Sequence, residues 1–249
     1  MPNSESIAFY NREDAADLNR RWLSFGRAET NAPVLPDIEK AIMEARAIGR
    51  EPKVLCIGEG TGVDATKIFT DIFHVPVVAV DASENLLEWS QKNASNPNIE
   101  YVHDTWPDLK KIFARNEQYD VVFSSATLQE LKPEEHEAAI RSAVQLTKPG
   151  GATVLIWPTP PTRAHHSVPD LEILQKTLKN MNHCPEEERL RFSFGKLPDV
   201  TNRLALNGEP VMRAYLIIHV PIERKINCES VPSHLPPDYQ SRDVHQKSR

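Results

Sequence analysis

Short apolar runs alternate with stretches of helical periodicity over most of the chain after Lys53. Apolar residues at three- and four-residue spacing predict helices, for example Ala65, Ile68, Phe69 and Ile72. Strands are predicted at residues 54–57, 77–80, 99–102, 119–123, 152–157 and 211–220, while 189–194 is either a strand or a linker. Strands separated by helices form right-handed βαβ units, and runs that are apolar on both faces indicate a sheet covered on both sides. The pattern therefore predicts an α/β fold with a doubly wound, mostly parallel sheet.

The segments on either side of this alternating region have different patterns. Ala15, Leu18 and Trp22 fall on one helical face, and a second helix is predicted from Pro36 onward. The last residues are rich in Pro, Ser and charge and contain few apolar positions, as is typical of flexible segments. The predicted division is 1–50 for an N-terminal helical cap, 51–226 for the main domain with a helical insert at 158–191 over the active site, and 227–249 for a flexible tail.

Composition narrows the class of protein. The 249 residues carry a net charge of −6, which disfavours a nucleic acid as the main partner because such proteins neutralise phosphates with Lys and Arg. No apolar stretch is long enough to span a membrane, and the N-terminus lacks the pattern of a secretory signal. The three cysteines have no metal-ligand spacing and their odd number argues against a disulfide framework, so we expect a cytoplasmic protein without a bound metal.

The most informative segment is the run VLCIGEGTG at residues 54–62, a strand that leads into a glycine-rich turn and a helix. Such turns let the backbone approach a ligand, and the following helix presents free N–H groups. Asp81 ends the second strand 21 positions after Gly60, where a carboxylate can accept hydrogen bonds from a ribose diol. A dinucleotide fingerprint would need glycine at Val63, but the third glycine is Gly62, so the spacing favours S-adenosylmethionine over NAD. On the glycines alone, a turn without a ligand stays open.

Three further motifs extend this pattern: YDVVFSS at 119–125 with the loop that follows it, LTKPGG at 146–151, and His103-Asp104 after the third strand. Together with the glycine-rich turn they resemble the class I S-adenosylmethionine-dependent methyltransferases. The similarity is greatest to the small-molecule branch of ubiquinone/menaquinone-biosynthesis-type and aconitate-type enzymes, and it covers about residues 50–157. The resemblance implies a Rossmann-like sheet of seven strands with an antiparallel last strand. It also implies S-adenosylmethionine as cofactor and in-line methyl transfer to an O, N or S atom of a small molecule.

The resemblance also implies roles for individual residues. The methionine part of the cofactor would be bordered by Gly58, Gly60 and Gly62 together with Ser124 and Ser125. Asp81 would hold the ribose, and Ala82 would lie against the adenine. Asp104 would face the adenine amino group with Thr105 or Trp106 beside it, and Tyr10 and Trp22 would close the site from the cap. Plain packing is the alternative for the two aromatic residues. Cys56 stands where the family usually carries Asp or Glu. Glu59 could compensate for it, or could simply be a solvated loop carboxylate.

The acceptor's proton is the remaining chemical question. A hydroxyl acceptor usually needs a general base, and the candidates on strand-end loops are Glu130, next to Gln129, and the pair His165 and His166. His136 is expected on the exposed face of its helix. Two alternatives stay open: a catalytically silent partner or cofactor-binding protein of the same fold, and an NAD-dependent oxidoreductase. The acceptor is not specified by these patterns, and neither is the choice between monomer and homodimer.

Overall fold

A computed structural model describes residues 4–24, 31–159, 169, 171–182, 189–198 and 212–222. The predicted tail at 227–249 lies outside the described residues, as do His165 and His166. The backbone of Trp22 is described within a helix, but its side chain is not. None of the described helices is long and apolar enough to cross a membrane.

The described strands form one seven-stranded sheet in the order β3-β2-β1-β4-β5-β7-β6. The strands are β1 Val54–Ile57, β2 Val77–Asp81, β3 Ile99–His103, β4 Tyr119–Ser125, β5 Thr147–Thr159, β6 Arg191–Pro198 and β7 Met212–His219. Every strand runs in one direction except β7, which pairs antiparallel with both β5 and β6. The prediction of a doubly wound sheet with an antiparallel last strand is confirmed, and residues 191–194 of the ambiguous segment at 189–194 belong to β6.

Helices precede the sheet and connect most of its strands. They are α1 Ser4–Arg12, α2 Ala15–Ser24, α3 Leu35–Ala47, α4 Glu84–Asn93, α5 Lys110–Phe113, α6 His136–Gln145 and α7 Leu171–Met181. The connection after β1 contains a π-helix, Ala65–Thr70, where the sequence predicts an ordinary helix. The N-terminal region contains three described α-helices rather than the two predicted, because α1 is a short and mostly polar helix with a weak apolar pattern.

Side chains alternate between two faces of the sheet, each with its own core. The α6 face is defined by Leu55 and Ile57 of β1, which pack with residues of α5, α6 and α7. The α3 face is defined by Val54 and Cys56 of β1, which pack with residues of α3 and of the π-helix. Both faces are therefore covered, which is why the strands contain unbroken apolar runs instead of alternating polar residues.

The helical insert predicted at residues 158–191 is described in part. Its described helix, α7, buries Leu174 and Leu178 in the core of the α6 face. An apolar stripe at helical spacing packs against the sheet because that removes the most apolar surface from water. The described helix of the insert, in the connection between β5 and β6, therefore packs on the face of the sheet, and the position of the insert over the active site stays a prediction.

At the amino edge of the sheet, a buried carboxylate joins three strands. Asp120, near the start of β4, accepts the backbone N–H of Lys53 at 2.9 Å and the ammonium of Lys148 at 2.8 Å. Arg50 Nη2 lies 3.3 Å from the second oxygen of Asp120. Lys148 belongs to β5, which begins at Thr147, earlier than the predicted start at residue 152. A side chain at Gly151 would lie 2.6 Å from the Asp120 carbonyl oxygen, so only glycine fits at this crossing.

Candidate cofactor-binding site

Asp81 connects the end of β2 to the glycine-rich loop after β1. Its Oδ2 accepts the Gly60 N–H at 2.7 Å, and its Oδ1 accepts the Ser83 N–H at 2.8 Å. Burial raises the pKa of this carboxyl above its usual value, while these two hydrogen bonds and the nearby His103 oppose that rise. The carboxylate is thus fixed at the carboxyl edge between neighbouring strands. A carboxylate offers about four acceptor directions in all, and these backbone N–H groups do not occupy every one of them.

Two glycines of the loop are in close contact with other elements. Gly58 has φ +71°, and a Cβ added there would lie 2.6 Å from Thr127 Cβ and still nearer to the other side-chain atoms of Thr127. Gly62 has φ +78°, and its Cβ would lie 2.9 Å from the Tyr101 hydroxyl. The chain can take this path only with glycine at both positions, because other residues rarely adopt such backbone angles and have a side chain to accommodate.

Glu59 is buried within the loop, with 3% of the residue exposed, so it is not a solvated carboxylate. Its Oε1 accepts the N–H of Ala65 at 2.8 Å, at the start of the helical turns that follow the loop. A carboxylate suits this position because helix N-termini have unpaired N–H groups and a partial positive charge. Cys56 is buried in the core of the α3 face. The family resemblance expects a carboxylate at the position of Cys56 on β1, whereas the nearest carboxylate in sequence, Glu59, lies in the loop and binds the Ala65 N–H.

At the end of β3, Asp104 and Trp106 are engaged in local structure. The Asp104 carboxylate accepts the N–H groups of Lys111 and Ile112 at 2.7 and 3.2 Å and so fixes the start of α5. The Trp106 indole N–H donates to the Ala139 carbonyl at 3.1 Å, and the residue is 4% exposed, so its ring belongs to the core of the α6 face. Thr105 and Ala82 are half-buried near the same edge.

The loop after β4 meets the loop after β1. Ser124 Oγ donates to the Ile57 carbonyl at 2.9 Å, and Ser125 Oγ donates to Asn31 Oδ1 at 3.4 Å. Asn31, which is fully buried, donates in turn to Asp64 Oδ1 at 3.2 Å. The two serines therefore tie β4 to β1 and to the segment before α3, at the point where the sheet order reverses around β1. Ligands of open α/β sheets bind at such a switch point.

The N-terminal helices are hydrogen-bonded to three loops at this edge. Ser6 donates to Glu130 Oε2 at 2.8 Å after β4, and Thr61 donates to Asn19 Oδ1 at 3.0 Å after β1. Ser83 donates to Asn11 Oδ1 at 2.8 Å after β2. Helix α1 therefore spans the edge from β4 to β2, with β1 between them. The half-buried ring of Tyr10 packs against a cluster around Leu86.

Glu130, the candidate base that the structure describes, is half-buried in a short 3-10 turn after β4. Its Oε1 lies 3.5 Å from the Gln129 amide nitrogen, in addition to the contact with Ser6. His136, expected to be exposed, is 2% exposed, and burial lowers its pKa. The prediction failed because the residue begins α6, where the preceding loop folds back over it. No three potential metal ligands come together among the described residues.

Part of the chain is similar in sequence to known methyltransferases. Residues 54–151 match the protein family described as "Methyltransferase domain". A malonyl-[acyl-carrier protein] O-methyltransferase from Halalkalibacterium halodurans is 33% identical over 104 residues, which are 41% of this chain and 37% of the relative. The chain thus matches little more than a third of the length of this curated relative. The matched region contains β1 to the start of β5, with the glycine-rich loop and Asp81.

Solved structures share the architecture at low sequence identity. The DhpI–SAH complex superimposes with a TM-score of 0.55 at 16% identity, over 88% of this chain and 97% of that one. The plantazolicin methyltransferase BpumL in complex with SAH has a TM-score of 0.55 at 11% identity, over 88% and 91%. The [4+2]-cyclase SpnF has a TM-score of 0.50 at 12% identity, over 73% and 80%. The fold is that of the class I S-adenosylmethionine-dependent methyltransferases, and its presence in a cyclase shows that the fold alone does not dictate the reaction.

Proposed function

We propose that this protein binds S-adenosylmethionine and transfers its methyl group to an O, N or S atom of a small molecule. The observation that carries the proposal is the fixed position of Asp81, bonded to Gly60 of the loop after β1 and placed beside the sheet's switch point. The match of residues 54–151 to a methyltransferase domain supports the same conclusion. The net charge of −6 favours a small molecule over a nucleic acid as acceptor. We further propose that the protein acts in the cytoplasm as a monomer or homodimer.

The residues present fit the cofactor. The ribose diol can donate to Asp81, since a carboxylate offers about four acceptor directions and the backbone N–H groups around it do not occupy every one. In the proposed arrangement the glycine-rich loop, with Glu59 buried inside it, borders the methionine portion together with Ser124 and Ser125. The adenine lies towards Ala82 and the end of β3, where Asp104 and Thr105 are found. The cap, including Tyr10 and Trp22, covers the cofactor.

The sulfonium of the cofactor supplies an activated methyl group, so the protein's task is to align the acceptor and exclude water. Helix α1 serves the second purpose, because it spans the edge between the loops after β2 and β4. Glu130 is the proposed base for a hydroxyl or ammonium acceptor, and it takes the proton on the oxygen that now accepts from Ser6. His165 and His166 remain proposed alternatives. The relative's name, an O-methyltransferase, supports an oxygen acceptor.

Isothermal titration tests the proposal. The wild-type protein is expected to bind S-adenosylmethionine and S-adenosylhomocysteine with micromolar affinity and to show no heat with NAD. Asp81→Ala should abolish binding of both sulfur nucleosides. Glu88→Gln, which removes an exposed carboxylate on α4, should leave binding unchanged. Equal binding by the Asp81 variant and the wild type would contradict the assigned site. Binding without methyl transfer across an acceptor panel would favour a silent cofactor-binding protein.

A further inference from the structure

His136 is a buried titratable residue that the proposed reaction does not use. It begins α6, and 2% of the residue is exposed. Burial lowers the pKa of its ring, and hydrogen bonds to the backbone of Leu128 and of Leu131 oppose that change. Groups that raise the pKa of a histidine accept a hydrogen bond from its ring N–H, so the two backbone groups are carbonyls. The ring is therefore bonded to the residues on either side of Gln129 and Glu130.

The two ring nitrogens of His136 have different surroundings. Nε2 is buried and has no hydrogen-bond partner among the described residues. Nδ1 is therefore the nitrogen that donates, and the two carbonyls share its single hydrogen, an arrangement common at helix termini. A charged ring would place a second N–H on Nε2, where nothing accepts it, so the neutral ring fits this position. Glu135 and Glu134 in the preceding turn favour the charged ring, but burial outweighs them.

The segment bonded to His136 contains the proposed base. It forms a 3-10 turn, in which the Glu130 N–H donates to the Thr127 carbonyl at 2.9 Å and the Leu131 N–H donates to the Leu128 carbonyl at 3.2 Å. Leu128 and Leu131 are buried in the core of the α6 face. The Glu130 carboxylate between them accepts the hydroxyl of Ser6 on α1. The turn is thus in contact with α6 through His136 and with α1 through Glu130.

We propose that His136 is a positioning residue, which orients the turn Leu128–Glu130 so that Glu130 takes the proton that the methyl acceptor loses. The inference rests on the proposed methyl transfer and adds a residue to it. The two buried leucines hold the turn by apolar contacts, which have no preferred direction. A hydrogen bond shared by two carbonyls is directional and so fixes the rotation of the backbone around Glu130. Orientation matters here, because a displacement of about 1 Å at a reacting group can cost about 100-fold in rate.

Amide hydrogen exchange of α1 tests the inference without turnover. His136→Leu removes the ring donor, so Glu130 loses its fixed position, the bond from Ser6 weakens and α1 should exchange about 5-fold faster. His136→Asn, whose amide nitrogen can take the place of Nδ1, should stay within about 2-fold of the wild type. Ala143→Gly, at a buried position of α6, is the control, because it destabilises the helix without touching the turn and should leave α1 unchanged.

Two further variants make this result decisive. In Ser6→Ala, α1 already lacks the bond to Glu130, so adding His136→Leu should accelerate its exchange no further. If His136→Leu does not fold, His136→Gln replaces it, because its amide lies near the position of Nε2 and cannot supply the Nδ1 hydrogen bond. Unchanged exchange of α1 in the folded His136→Leu or His136→Gln protein overturns the inference. So does equal acceleration in Ala143→Gly, because the effect would then come from general loosening of α6.

Labelled methyl transfer to phenol and to thiophenol separates positioning from stability. Phenol must lose a proton to a base, whereas thiophenol is already ionised at neutral pH. His136→Leu should lower kcat for phenol about 100-fold with little change in KM, should leave transfer to thiophenol near the wild-type rate, and His136→Asn should restore most of the loss. Equal loss on both acceptors overturns the inference. If the wild type methylates neither compound or does not bind S-adenosylhomocysteine, the proposed function fails, and hydrogen exchange of α1 decides the role of His136 separately.

Discussion

The contact between Gly58 and Thr127 gives a quantitative test of how the two loops at the site are packed. In Gly58→Ala, the new Cβ would stand 2.6 Å from Thr127 Cβ and closer to its Oγ1 and Cγ2, at a residue with φ +71°. The left-handed backbone costs an alanine about 1 kcal/mol relative to glycine, and the overpacking adds about 1–3 kcal/mol. The free energy of unfolding should fall by about 2–4 kcal/mol. For a chain of this size that lowers Tm by roughly 4–16 °C.

The two contributions can be measured separately. Gly49 has φ +74° with no atom within 4 Å of its added Cβ, so Gly49→Ala reports the backbone cost alone, about 1 kcal/mol. In the double variant Gly58→Ala with Thr127→Ala, removal of Oγ1 and Cγ2 should restore about 1–2 kcal/mol of the overpacking cost. Urea denaturation of the four proteins, followed by circular dichroism, gives these values. If Gly58→Ala is no less stable than Gly49→Ala, the two loops are not in contact and the reasoning is wrong.

Three further outcomes follow from other contacts. Asp120→Asn should lower the free energy of unfolding by about 2–3 kcal/mol in urea denaturation, because Lys148 and Arg50 lose the buried negative charge that they face. The partial exposure of these two side chains (24% and 32%) limits the cost. Binding of S-adenosylhomocysteine should not change. Ala126 has φ +59°, so Ala126→Gly should gain about 0.5–1 kcal/mol in the same assay, and a loss would contradict the strain. Burial raises the pKa of Asp81, and the proposed hydrogen bonds from the ribose need its carboxylate form. Affinity for S-adenosylhomocysteine should therefore fall as the pH drops through that raised pKa. Titrations at constant ionic strength that show no such fall contradict the proposed role of Asp81.

Much of the fold could be predicted because strands buried on both faces leave an unmistakable pattern. The run VLCI at residues 54–57 is bounded by a glycine on one side and a charge on the other, and β1 has those bounds in the structure. The start of β5 was missed, since Lys148-Pro149-Gly150-Gly151 has the composition of a turn. That segment joins the strand through the pairing of Thr147 with Tyr119, followed by a shift in register. Such irregular pairing has no local sequence signal.

The site was predicted to a lesser degree, because its residues come from segments far apart in the chain. The glycines and Asp81 could be named from their spacing, since one strand and one turn position both. The burial of His136, and that of Arg213 on β7, could not be predicted, because each depends on contacts between segments distant in sequence. A buried arginine within an apolar strand has the same local pattern as an exposed one. Register between distant strands, rather than composition, sets the neighbours of Arg213 in the sheet.

The hydrogen bonds that fasten α1 across the carboxyl edge have a consequence for the kinetics of turnover. Ser6–Glu130 and Asn11–Ser83 are side-chain bonds in partly exposed surroundings, and bonds of this kind break far more often than the sheet unfolds. A nucleoside lying beneath α1 could leave only during such openings. The lifetime of the spent cofactor, and with it the maximal rate, would then be set by a single nine-residue helix at the start of the chain. Amide hydrogen exchange in α1 and the rate of product release would have a common time constant.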